Sequence, residues 1–205
     1  MLFRSLDRVH SMSTEDRLGV MRAYVGDRTN RRHRPGRALE RTDYRFDVLS
    51  DYGGFRDLQR HRMATVEWQT LGPLHGYVRP ASLSEAGVAQ RFDDAMEISG
   101  GLWNLLAEQF PDRAAYAVSL AHRIRYTMQF NAREAMHMLE LRSSVQGHPS
   151  YRAVAQRMHR LIEEKAGHRA IAEMMTYVDH SGEAELERIG AERRAEARRG
   201  AAGAE

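Results

Sequence analysis

The 205-residue sequence contains no cysteine. That absence excludes a disulfide scaffold, a thiolate zinc site, an iron–sulfur cluster and a cysteine nucleophile. No run of about 18 apolar residues occurs, so no transmembrane helix is predicted. The N-terminus, Met-Leu-Phe-Arg-Ser-Leu-Asp-Arg, lacks the apolar stretch of a signal peptide. A soluble, cytoplasmic protein is expected. Lysine is nearly missing too: of 31 basic residues only Lys165 is not arginine. Against 28 acidic residues this leaves a net charge of only +3, with both signs interspersed. Neither a nucleic acid nor a membrane is therefore expected as a partner. The ten histidines show no HExxH or comparable ligand spacing and no dense cluster with acidic residues, so no metal is expected. GxGxxG, P-loop and GxSxG signatures are also lacking. The arginine bias itself is mostly compositional, so only position can reveal whether guanidinium forks serve an anion.

What is present suffices for one domain with a real core, since 42% of the chain is hydrophobic. Residues 13–25 predict a helix capped by Ser13, with Leu18, Met21 and Val25 on one face. Residues 26–37, GDRTNRRHRPGR, form a loop of arginines and turn formers. Residues 42–50 alternate Tyr44, Phe46 and Val48 inward as a strand. Gly53-Gly54 ends it, FRDLQRHR forms a short helix, and residues 63–71 read as a second strand. From Ser82 the pattern is helical: Val88, Phe92, Ala95, Leu102 and Leu106, with a weak point at Gly100-Gly101. Pro111 stands near the start of another helix, on which Ala117, Ala121, Ile124 and Met128 share a face. Helices over 131–143 and 150–166 follow. The class is α+β: a small antiparallel or mixed sheet packed with several helices. One domain spans 1–181, and the apolar-poor tail 182–205 reads as a solvated helix or disorder.

Two constellations could carry chemistry. Arg60-His61-Arg62 sets two forks around an imidazole, a compact site for phosphate or an electron-rich ring; at this composition it equally suits a solvated face. Asn131 and Arg142 are eleven apart, which places them within roughly 20° of each other on a helix. Arg133 and His137 form an i, i+4 pair on another face. Asn131 with Glu134 three later also makes a helix cap, and His137 alone suits a half-buried surface position.

Together these motifs resemble the flavin-dependent thymidylate synthase family. Its hallmark is R-H-R-x-x-S-x-N-E-x-S-x-R-Y, followed some seventy residues later by N-x-R and L-R. Here Arg60-His61-Arg62 matches the opening, Thr65 stands at the first serine, and Asn131-x-Arg133 and Leu141-Arg142 keep the later spacing. Arg37-Ala-Leu-Glu40-Arg41 resembles the S/T-x-L-E-H segment. Residues 114–142 resemble the family's core helices, and the likeness covers roughly 15–178. It implies a homotetramer with FAD bound between subunits. NADPH would reduce the flavin for methylene transfer from methylenetetrahydrofolate to dUMP. No protein nucleophile is needed, in keeping with the missing cysteine. Carried over, Arg60, His61, Arg62, Asn131, Arg133 and His137 would hold the flavin. Arg142, with Thr65, Glu67, Thr70 and Arg152, would hold the pyrimidine nucleotide. Several of the departures fall on the half that would hold the dUMP phosphate. Glu67-Trp68 replaces N-E, Thr70 the second serine, Gly72-Pro73 the R-Y, and Asp57 a glutamine. The histidine of G-H-x-S/T is absent, with His33 two residues off register. Three readings follow: a flavoenzyme acting on dUMP or a related pyrimidine nucleotide, a non-catalytic domain that stabilises an oligomer, and a basic module for anions or nucleic acid. The last is weakest, because the arginines track the motif and form no stripe with interleaved aromatics.

Overall fold

The computed structural model describes residues 2–182; the tail reading above falls almost wholly outside them. Strands β1 (Asp43–Asp51), β2 (Thr65–Trp68) and β3 (Arg123–Asn131) form one antiparallel sheet in the order β1-β3-β2. Around it lie α1 (Leu2–Ser11), α2 (Thr14–Val25), α3 (Tyr52–Leu58), α4 (Ala81–Glu85), α5 (Ala89–Gln109), α6 (Ala132–Arg142), α7 (Pro149–Glu164) and α8 (Arg169–Glu173). The α+β class with a small antiparallel sheet is the one read from sequence.

In β1 the alternation works as expected: Tyr44, Phe46 and Ser50 are buried and Val48 partly so. Residues 123–131 are a correction. They form β3, not a helix, and pair with β1 from Asp43 opposite Asn131 to Asp51 opposite Arg123. Ile124, Tyr126, Met128 and Phe130 are buried in strict alternation, a period of two. Ile124 and Met128 satisfy a helical spacing as well, which hid the strand. Pro111–Ala117 is a 3₁₀ segment. The second strand is shorter than 63–71, and the short helix begins earlier, at Tyr52, and stops at Leu58. Asp51 caps it, its Oδ1 accepting from the Gly54 N–H at 2.7 Å. At Gly54 a Cβ would sit 2.6 Å from Ser150 Oγ on α7, so glycine permits the close approach. The consequence for function is that Arg60-His61-Arg62 lies on the turn after α3, not on a helix.

Helix α6 follows β3 directly and packs on α7, and α7 on β1. Met136, Met138, Leu139, Met158 and Ile162 complete the core with Met128. Helix α6 also buries one charge, Glu140. By contrast α5, 21 residues long, buries only Met96 and leaves Ile98, Leu102 and Leu105 exposed along one face.

Candidate functional site

A cleft of about 710 Å³ opens where three segments meet: the loop 28–35, the turn 60–63 and the N-terminal half of α6 with Leu141 and Arg142. Arg60, His61, Arg62, Asn131, Arg133, His137 and Arg142 all line it. Seven of the eleven residues singled out in the sequence are thus brought together. Thr65, Glu67 and Thr70 are not among them; they stand exposed on or just after edge strand β2. Arg152 is buried on α7, its Nε donating to Ser143 O at 2.9 Å and its Nη2 to Ser181.

At the back of the cleft the side chains form a relay. Arg142 Nε donates to His61 Nε2 at 2.9 Å. A guanidinium can only donate, so Nε2 must be the acceptor and the imidazole proton sits on Nδ1. From there it is donated to Glu134 Oε1, 3.1 Å away. This arrangement orients His61 and aims Arg142. Arg142 also faces Asp57 at 3.6 Å and lies 5.5 Å from the Tyr151 ring centroid. Asp57 and Tyr151 in turn line a second cleft of about 850 Å³, so Arg142 stands between the two. Asn131 caps α6, its Oδ1 accepting from the Glu134 N–H at 2.9 Å. The capping reading is correct, but Glu134 turns its carboxylate to His61.

The arginine loop is fastened to α6 at two points. Arg28 pairs bidentately with Glu140, both bonds 2.6 Å, and donates also to the carbonyls of Met174, Arg31 and His33. All five of its N–H groups are thereby used. Arg133 donates to Pro35 O at 3.0 Å and Glu40 Oε1 at 3.1 Å. Glu40 is held below the usual carboxylate range, chiefly by its hydrogen bond from Arg37. Between the fastenings, Arg31, Arg32 and Arg34 line the cleft, and none has a carboxylate partner among the described residues. Burial pushes His137 down first of all, and the charges of Arg31 and Arg34 push the same way against Glu134.

The expectation that no histidine joins a dense acidic cluster needs correcting. His61, Glu134 and His137 place ligand atoms within 4.8 Å of one another. The turn after α3 and the helical i, i+3 spacing of Glu134 and His137 create this trio, which linear spacing cannot show. Both nitrogens of His61 are already engaged, however, and the guanidiniums around the cleft oppose a cation. The set suits an anion. Sequence reasoning missed Arg31, Arg32, Arg34 and Glu134 as site residues; the arginine-dense loop was the available signal for the first three.

Among the described residues no helix is long and apolar enough to cross a membrane. The model of the family described as thymidylate synthase complementing protein matches residues 4–168. The UPF0159 protein of Chlamydia muridarum is 37% identical over 192 residues, covering 94% of this chain and 36% of that protein. Its counterpart in Thermoplasma acidophilum is 31% identical over 189 residues, covering 91% and 37%. The chain therefore spans little more than a third of the length of these relatives. Among solved structures, thymidylate synthase X from Helicobacter pylori with FAD and dUMP superposes with a TM-score of 0.60 at 18% identity, covering 85% of this chain and 90% of that one. A UMP/dUMP methylase, PolB, from Streptomyces cacaoi bound with 5-Br dUMP gives 0.65 at 18% identity, covering 80% and 82%. These two share the fold. The match across most of its length shows that the chain belongs to the thymidylate synthase complementing protein family.

Proposed function

We propose that this protein is an FAD-dependent, thymidylate synthase-like enzyme that converts dUMP or a related pyrimidine nucleotide to its 5-methyl product. Methylenetetrahydrofolate would supply the carbon and NADPH the reducing equivalents. The observation that carries the reading is the convergence of the family's Arg60-His61-Arg62, Asn131-x-Arg133 and Arg142 on one cleft that also holds guanidiniums without carboxylate partners among the described residues. That donor set fits FAD, whose diphosphate needs cations and whose ring needs directed donors. Bound there, the flavin supplies the reducing electrons that turn a transferred methylene into a methyl group.

The chain's own residues bind and orient. Arg60 and Arg62 present forks at the cleft rim, and Asn131 keeps its amide N–H donors available because only its Oδ1 is spent on the cap. Arg142, aimed by its hydrogen bond to His61, offers its terminal N–H groups to a pyrimidine carbonyl or phosphate. Arg152 acts indirectly, holding the carbonyl of Ser143 just after α6. Thr65, Glu67 and Thr70 would meet ligand only from a neighbouring copy, and the exposed Ile98–Leu102–Leu105 face of α5 gives such a homo-oligomer an apolar surface to bury.

Purified protein should be yellow or become so with FAD, and dUMP should change its flavin spectrum or its NADPH oxidation. A colourless protein that cannot be loaded with FAD would sink the reading. A yellow protein indifferent to dUMP but responsive to UMP would move it to the related nucleotide.

A further inference from the structure

The loop 26–37 stands out in sequence, yet the family motif gives its arginines no role. In the fold its tip is exposed, but both of its ends are fastened. Arg28 ties its near end to Glu140, and Arg133 ties Pro35 at its far end. Both fastenings belong to α6, the helix that also carries Glu134, His137 and Arg142. The tip is consequently held over the cleft in one arrangement. Arg31, Arg32 and Arg34 line the cavity there, with no carboxylate within ion-pair distance among the described residues. Their charge reaches inward, since Arg31 and Arg34 both help depress the pKa of His137. Three unneutralised guanidiniums on a short, anchored tip repel one another, and a multiply charged anion relieves that repulsion. A single carboxylate or monophosphate could neutralise only part of the set. A diphosphate offers enough oxygens for several forks. Anchoring the loop in advance also lowers the ordering cost of binding.

We propose that Arg31, Arg32 and Arg34 form a diphosphate grip, with Arg28 as its positioning residue, which makes the cleft select ligands carrying two linked phosphates over those carrying one. Within the flavin reading on which this builds, the grip holds the diphosphate of FAD and gives a preference over FMN. The same chemistry in a free nucleoside diphosphate or inorganic pyrophosphate would be held alike.

The test uses the full chain and the variant Arg31→Gln/Arg34→Gln, both side chains lying at the surface or half-buried. Arg157→Gln, in an exposed ion pair on α7, serves as control. Circular dichroism and thermal melting check that each variant folds. Affinities for FAD and FMN are measured by flavin fluorescence, and for inorganic pyrophosphate and orthophosphate by calorimetry. FAD affinity should fall about 100-fold in the double variant, from two lost charge-assisted contacts, while FMN affinity changes less than about 5-fold. Equal losses for FAD and FMN, or no loss for either, would overturn the grip. If the parent binds neither flavin, the flavin reading fails by itself. Pyrophosphate then decides: binding to the parent, stronger than orthophosphate and abolished in the variant, upholds the grip. Absence of pyrophosphate binding rejects it.

Discussion

Replacing Arg28 by methionine should be one of the most destabilising single changes in the protein. The Arg28 side chain is 5% exposed and that of Glu140 0%. Methionine fills much of the same space but removes both 2.6 Å bonds to Glu140 and the donors to three carbonyls. A carboxylate would be left in the core with only the long 3.4 Å contact from the Tyr177 N–H. Breaking a buried pair in this way costs about 3–5 kcal/mol. For a chain of this size that lowers the melting temperature by roughly 6–20 °C. Glu140→Gln should also destabilise, because it strands the guanidinium instead. The discriminating variant is Arg28→Met/Glu140→Leu, in which no buried charge remains. It should recover most of the stability, since apolar replacements of buried pairs are often neutral, yet it should not recover FAD retention, because the arginine loop has lost its anchor. Urea unfolding followed by circular dichroism, with flavin retention on the same samples, measures both. A single Arg28→Met variant within about 1 kcal/mol of the parent would refute the assignment of this pair as a buried anchor.

Arg142→Ala should leave FAD bound and weaken nucleotide binding about 10–100-fold by flavin-monitored titration; unchanged nucleotide affinity would reject its role. Acid should destabilise the fold in a window set by histidines. His122 and His137 are both pushed below their ordinary value, mainly by burial. Near neutral pH neither state is charged there, so stability is full; as pH falls below about 6.5 the unfolded chain takes up protons that the folded one refuses. Urea midpoints should therefore decline between about pH 7 and 5.5, and less steeply in His122→Gln; a flat profile would contradict this. Gly54→Ala should destabilise by about 1–3 kcal/mol, because its Cβ meets Ser150 Oγ at 2.6 Å. A melting temperature equal to the parent's would show that the Ser150 hydroxyl can give way at no cost.

How far the sequence could be read depended on the range of the interaction that mattered. β1, the Ser13 and Asn131 caps and helices α6 and α7 rest on neighbours a few residues apart, and their patterns were legible. β3 was not, because Ile124 and Met128 fit a helical spacing as well as an alternating one, and only pairing with β1 decides between them. The family motif located seven cleft residues, since the motif encodes their juxtaposition. The partners that orient them lie far off in the chain. Glu134 meets His61 across 73 positions, and Glu140 meets Arg28 across 112. Read locally, Glu134 is a capping residue and Glu140 an ordinary helix acid.

The separation between anchors and tip in the arginine loop has an evolutionary consequence. Arg28 and Arg133 hold the loop to the rest of the fold, whereas the side chains of Arg31, Arg32 and Arg34 face the cleft. Substitutions at the tip can therefore rewrite which anion is chosen without disturbing the core, and a lineage can drift from one phosphorylated ligand to another through folded intermediates. Diversifying positions 31, 32 and 34 while keeping both anchors turns that freedom into a practical route to new selectivity.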